Sequence, residues 1–533
     1  MGIPFYFREI VQNNKNILGN LNRCNRLYLD YNSIIHVASQ KVVSSKVWKD
    51  YQQMEKAITQ HIIEYTHDVV KSCQPDQLLY IGIDGVAPIA KMIQQRKRRH
   101  LSSLQSIMIN DFKSRNNIPY TSIWDSNCIT PGTDFMFKLN QVLKAHFASL
   151  KTPFETIISG PDEVGEGEHK IIRYIKSLGD DKCVDVIYGL DADLIMLTMT
   201  CHKDKLYLMR ESTQLTNDRN SPVGYKFVNI DVLRKSVGDY LYTSTSTSTS
   251  TGNTNMYMYD YVFICFILGN DFLPHFLCVD IKHEGLQMIC DIYRKLHHDH
   301  NEYLILKQKD KFIINLPFLK IFFKELVRIE DEIIKRNIKI HYESPYNERR
   351  AATPLEKFMN DLNYMPLIKR KKIIDPENDP FWKTLYYKTF LNITSTDMKA
   401  VDDICCNYLQ GLQWNIDYYF NNKSTNTWYY NYATSPFISD VYRFLNKADI
   451  PSTTAPDTLI EDREQLLLVL PHKSFPLLPP STRERLKDIS QGYVYLYPTS
   501  FQVITFMKSQ LWECIPILPP VNIKLIKEFY KTQ

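Results

Sequence analysis

No two cysteines in this chain are spaced as CxxC, and the eleven present are an odd number. A zinc ribbon and a disulfide framework are therefore not expected. Long apolar runs are missing too, since the run Val262–Leu268 is only about half of what a bilayer span requires. The opening MGIPFYFREI has no apolar stretch behind a basic start, so no signal peptide is expected. Tyr6 stands where a myristoylation signal following Gly2 wants Ser or Thr. An excess of one charge sign is nearly absent: 64 Lys and Arg against 59 Asp and Glu leave +5, too little to imply a polyanion partner unless the charge is clustered. No period of about 20–50 residues argues for a repeat fold. These absences suggest an intracellular, membrane-free protein in a reducing compartment, cytoplasmic rather than nuclear.

The 533 residues suit two to four folding units, and 44% hydrophobic with 23% charged residues is an ordinary globular balance. The first 200 or so residues alternate short apolar runs with longer amphipathic segments, which predicts an α/β layer fold. The strand-like runs are Leu27 to Leu29, Leu78 to Ile83, Thr156 to Ile158 and Val184 to Tyr188. Three of them lead into an acid, namely Asp30, Asp84 and Asp191. In open α/β sheets the ligand crevice lies at the carboxyl ends of the strands, where such acids matter most. The Thr/Ser alternation at 243–251 has no apolar face and is expected to be a disordered insertion. Helical periodicity is predicted over about 304–338. A basic, proline-containing stretch follows, and an aromatic-rich region begins at Trp382.

Seven carboxylates stand beside glycines or at the ends of apolar runs: Asp30, Asp84, Glu166, Glu168, Asp191, Asp193 and Asp271. Gathered together they would repel strongly, and two bound Mg²⁺ ions (or Mn²⁺ in their place) would relieve that conflict. Two such ions can clamp the attacking and leaving oxygens of a phosphodiester displacement. The bland reading, in which Asp30 or Asp271 merely caps a helix, holds about as well for either acid taken singly.

After Asp84 comes a basic segment opened by Pro88, a residue suited to the first turn of a helix. On that helix Lys91, Gln95, Arg98 and Arg99 share one face, while Arg96 and Lys97 point away. Four donors on one face beside a metal site make a pocket for a terminal phosphate, because Arg grips phosphate bidentately and Lys acts as a point charge. Alone, the segment would read as a solvated basic helix or a nuclear-localisation run.

These motifs together resemble the XRN family of 5′→3′ exoribonucleases. The resemblance is carried by MGIPFYF (1–7), LYLDYNSIIH (27–36), IDGVAPIAKMIQQRKRR (83–99), NCITPGTDFM (127–136), GEGEHK (165–170), YGLDADLIML (188–197) and GNDFLPH (269–275). YLQGLQWNIDYYF (408–420), TWYYNY (427–432), SPFISD (435–440) and LLLVLPHKS (466–474) are similar to that family's second conserved region. The resemblance implies a PIN/flap-nuclease-like, mostly parallel sheet in residues 1–345 and a largely helical region in 346–533 packed over the active site. It implies that the seven acids bind metal and that Lys91, Gln95, Arg98 and Arg99 hold a 5′-monophosphate. It further implies that His36 and Trp428 sandwich the terminal bases. The implied activity is processive hydrolysis of single-stranded RNA from a 5′-monophosphate end, releasing nucleoside 5′-monophosphates in RNA decay.

Three positions depart from the family pattern. Val164 replaces a usual proline, Ile89 replaces a usual basic residue after Pro88, and Ala433-Thr434 interrupts the aromatic stretch. The cytoplasmic branch of that family carries long C-terminal accessory domains, which are expected to be missing here. Two other readings compete: a flap-endonuclease-like DNA nuclease, and a non-catalytic RNA-binding scaffold. The first expects a glycine-rich hairpin after the last acids, whereas 268–287 has only Gly269 and Gly285. The second gives no reason to maintain seven mutually repelling acids.

Overall fold

The computed structural model describes Ile10 and residues 15–179, 182–211, 224–241, 256–344, 349–366, 372–394, 396–422, 427–450, 459–488 and 496–531. The opening MGIPFYF and the Thr/Ser alternation lie outside the described residues.

Seven strands form the central sheet: β1 (Leu18–Gly19), β2 (Cys24–Asp30), β3 (Pro75–Gly82), β4 (Glu155–Ser159), β5 (Asp185–Tyr188), β6 (Leu206–Glu211) and β7 (Tyr225–Asn229). Their order is β1-β7-β6-β5-β2-β3-β4. The five strands from β6 to β4 are mutually parallel, and β7 and β1 add antiparallel pairs at one edge. The α/β expectation holds. The periodicity reading missed β1, β6 and β7, which are short or interleave polar with apolar residues.

Covered on both faces, β2 buries Leu27, Tyr28 and Leu29 completely. Its alternate residues serve opposite layers. Leu27 and Leu29 pack with Ile34, Ile58 and Leu139 from the helices Tyr31–Ser45, Tyr51–Cys73 and Asp134–Ser149. Tyr28 faces Ile171, Ile195 and Val262 from Gly167–Ser177, Asp193–Met199 and Met256–Ile267. The apolar run around Val262 is thus a core helix, buried from Met258 to Ile267. Among the described residues no helix is long and apolar enough to cross a membrane. All eleven cysteines are free.

The second core layer continues without a break into the aromatic-rich region. Phe266 packs against Phe420, and Phe276 against Tyr408 of the helix Met398–Tyr419. Glu330, buried on the helix Leu316–Glu343, accepts hydrogen bonds from the N–H groups of Ile438 and Ser439 at the start of Ile438–Leu445. The helix predicted from about 304 begins only at Leu316. Before it, Ile305–Gln308 and Lys311–Ile314 form a hairpin. The buried Asp260 carboxylate holds that hairpin, accepting from the N–H groups of Leu304 and Ile305, both at 2.8 Å.

Candidate active site

Strand β2 lies between β3 and β5, and its neighbouring connections run in opposite directions. That switch point opens a crevice at the carboxyl ends of the strands. Asp30 ends β2, Asp84 follows β3, Glu166 and Glu168 follow β4, and Asp191 and Asp193 follow β5. Asp271 comes from the loop after Met256–Ile267. Asp30 stands at the start of Tyr31–Ser45 but makes no side-chain cap, and instead accepts from Ser33 Oγ at 2.8 Å. Asp84 accepts from Gly167 N at 2.7 Å and from Asn32 Nδ2 at 2.8 Å, tying the β2, β3 and β4 loops together.

The backbone approaches closely here. A Cβ on Gly167 would lie 2.6 Å from Gly82 O and 3.3 Å from Asp30 Oδ1. Neither neighbour can yield without moving a strand end or an acid. Gly167→Ala is therefore expected to lower kcat at least tenfold with a smaller change in melting temperature. Steady-state kinetics and a thermal melt would test this, and an unchanged kcat would contradict it.

Crowding of like charge shows in the acids' affinity for protons. Burial, then Asp84 and Asp191, push the Asp30 carboxyl up to about 8. Burial and then Asp271 push Asp193 up to about 7. Burial and Asp193 raise Glu168 well above its usual range. Buried Glu168 Oε2 and Asp193 Oδ1 have no hydrogen-bond partner among the described residues. The acids' oxygens, two of them orphaned, fit hard divalent cations.

Sequence reasoning missed four participants. His169 offers a ring nitrogen within 4.8 Å of ligand atoms on Glu166 and Glu168. Tyr418, on a helix far along the chain, donates its hydroxyl to Glu166 Oε1 and lays its ring 3.9 Å from that of His169. Asn270 donates to Asn415 Oδ1 at 2.7 Å, bringing the same helix to the loop that carries Asp271. The GEGEHK motif contained His169, but no local signal marked Tyr418 or Asn415.

Pro88 proves to be the N-cap, with extended backbone, of the helix Ile89–Arg115. Lys91, expected in the phosphate pocket, reaches the acids. Its Nζ sits 2.6 Å from Glu166 Oε2 and 3.0 Å from Asp271 Oδ2, because the acids are the strongest nearby counter-charge. Burial works against the Lys91 ammonium, but Glu166 and Asp271 more than reverse it. Gln95 and Arg99 are buried, and Gln95 Oε1 and Arg99 Nη1 are without partners among the described residues. Burial and then Arg98 pull the Arg99 guanidinium down to about 9. Arg98 and Asp271 share the wall of a cavity of about 410 Å³. Arg96, off this face as predicted, donates to the carbonyls of Leu496 and Pro519.

His36 is exposed on Tyr31–Ser45. Its crowded surroundings, then Arg98 and Arg99, bring its imidazole down to about 4, so the ring is neutral at physiological pH. Trp428 is 8% exposed, tilted 30° against Trp414 with centroids 5.2 Å apart. Among the described residues the His36 and Trp428 rings make no ring contact with each other. Ile89 is fully buried with Leu466, Val469 and Phe529, so an apolar side chain there anchors the helix start. Val164 is exposed, just before Gly165 at φ +111°.

Residues 1–212 match the model of the XRN 5′-3′ exonuclease N-terminus, and residues 252–372 and 378–532 match that of the Xrn1 helical domain. The chain belongs to the XRN family. It is 26% identical over 602 residues to human 5′-3′ exoribonuclease 1, covering 100% of this chain and 34% of that protein. It is 26% identical over 649 residues to 5′-3′ exoribonuclease 1 of Schizosaccharomyces pombe, covering 98% of this chain and 48% of the relative. For chicken 5′-3′ exoribonuclease 2 the identity is 26% over 672 residues, with 99% and 69% covered. The chain thus spans a third to a half of the first two relatives. The parallel sheet is the PIN-like nuclease fold of the XRN N-terminus, and XRN nucleases are metal-dependent, in keeping with the buried acidic cluster.

Proposed function

We propose that this chain is a 5′→3′ exoribonuclease that processively hydrolyses single-stranded RNA bearing a 5′-monophosphate and releases nucleoside 5′-monophosphates in RNA decay. The observation that carries the reading is the meeting of seven carboxylates at the strand ends with the polar face of Ile89–Arg115. Asp30, Asp84, Glu166, Glu168, Asp191, Asp193 and Asp271 would hold two Mg²⁺ ions, or Mn²⁺ in their place. Bound there, such ions supply an activated water and neutralise charge on the leaving oxygen.

The chain's own groups do the rest. Gln95, Arg98 and Arg99 hold the terminal phosphate, and Lys91 bridges that pocket to the acids. Closed around a monophosphate, that pocket would reject a triphosphate as too bulky and too charged, and a 5′-hydroxyl would leave the guanidinium groups unpaired. His36 and Trp428 stack on bases, which contributes about 1–3 kcal/mol per base without sequence preference. Residues 1–345 form the nuclease part. Residues 346–533 pack over its rim, so that only a single strand is admitted. Eleven free cysteines suit the reducing cytoplasm.

The test is a time course on RNAs with 5′-monophosphate, 5′-triphosphate or 5′-hydroxyl ends, labelled at either end, with Mg²⁺ and with EDTA. Loss of monophosphate RNA from its 5′ end, only with Mg²⁺, is expected. Full turnover in EDTA or shortening from the 3′ end would overturn the reading.

A further inference from the structure

A groove of about 670 Å³, with His36 but none of the seven acids in its wall, lies between Tyr31–Ser45 and the C-terminal part of Ile89–Arg115. His36, Lys46, Lys113, Tyr120 and Trp124 line it, and no carboxylate does. Lys46 and Lys113 make no ion pair among the described residues. Lys46 Nζ stands 4.0 Å from the centre of the Trp48 ring, and Lys113 Nζ 5.9 Å from that of Tyr120. Acids nearby in sequence are engaged elsewhere: Asp50 accepts from Gln53 N, Asp111 pairs with Arg115, and Asp125 accepts from Asn127 N. The wall is held in place, because Trp48 N donates to Thr121 Oγ1 and Trp48 Nε1 to Val42 O. Gln40 and Asn110 add amides to the lining.

Unpaired cations interleaved with aromatic rings, free of acids, are the chemistry that binds a single-stranded nucleic acid through phosphates and base faces. We propose that this groove is a second contact site for single-stranded RNA, continuous with His36 and outside the catalytic chamber. The assignment of RNA as occupant rests on the exoribonuclease reading. The lysines act on nucleotides that the chamber does not hold, so the contribution of the groove grows with RNA length.

The experiment measures binding of 5′-monophosphorylated oligouridylates of about 3, 6 and 15 nucleotides, a range spanning typical single-strand site sizes. EDTA is present throughout, and the full chain is compared with Lys46→Ala/Lys113→Ala and Lys46→Glu/Lys113→Glu. Wild type should bind the longest RNA much more tightly than the shortest. The alanine pair should lose at least tenfold on the longest and nothing on the shortest, and the glutamate pair should lose more. Each phosphate contact on a single strand contributes about 0.7 to the slope of log affinity against log salt, so losing two should flatten it by about 1.4. Equal affinity and slope in wild type and variants would overturn the site, as would an equal loss at every length. Length-dependent loss in a chain that degrades no RNA would keep the groove and remove the nuclease reading. Normal degradation with unaltered binding would do the reverse.

Discussion

Asp193→Asn is expected to lower kcat by at least a thousandfold while leaving the melting temperature in EDTA unchanged or higher. The amide keeps the side chain's volume, so the buried site does not collapse. What it removes is one negative charge from a cluster in which Asp271 and Asp191 already oppose the ionised Asp193. Without cations that charge works against the fold, and with them it becomes a ligand. A lost ligand withdraws several kcal/mol of charge stabilisation, and about 4 kcal/mol corresponds to roughly a thousandfold in rate. A separate readout follows from linkage: saturating Mg²⁺ should raise the wild-type melting temperature and raise that of the variant much less. Wild-type turnover in Asp193→Asn would remove this residue from the metal site.

Arg98→Ala/Arg99→Ala is expected to cost about a hundredfold on 5′-monophosphate RNA and little on 5′-hydroxyl RNA, erasing end preference. A charge-assisted hydrogen bond contributes about 1.5–3 kcal/mol, which is tenfold or more for each arginine. Arg99 is the more telling of the two. Its guanidinium is buried, and its Nη1 lacks a partner among the described residues. A buried cation of that kind is costly unless something anionic completes it. Removing it should therefore spare the fold or even stabilise it, which separates this pair from a structural lesion. Competition assays with monophosphate and hydroxyl ends, beside thermal melts, would check both parts. A variant that still prefers the monophosphate end would refute the pocket.

The acids were legible because each sits in a short motif beside a glycine or at the end of an apolar run, although the run before Asp271 is a helix and not a strand. The helix Ile89–Arg115 and its polar face were legible from spacing alone. The destination of the Lys91 side chain was not. Helical phase assigns it to the face of Gln95 and Arg99, but a long flexible arm goes to the strongest charge in reach, and Asp271 lies 180 residues away in sequence. Tyr418 was invisible for the same reason, since its partner Glu166 is 252 residues away. Among the aromatics of 414–432 nothing local distinguishes a core ring from a stacking one. In the structure Trp414 is fully buried and Trp428 lies against it. The hairpin 305–314 read as helix because its apolar residues are too few to distinguish two periods.

The start of Ile89–Arg115 is shaped from a distance. Ala87 N donates to Gln465 Oε1, Ile89 and Met92 pack among Leu466, Val469 and Phe529, and Arg96 holds the carbonyls of Leu496 and Pro519. A ribosome making this chain therefore completes every acid long before it makes the residues that set the helix beside them. Until those segments emerge, a nascent chain has all seven acids but lacks the contacts that fix the start of Ile89–Arg115 beside them.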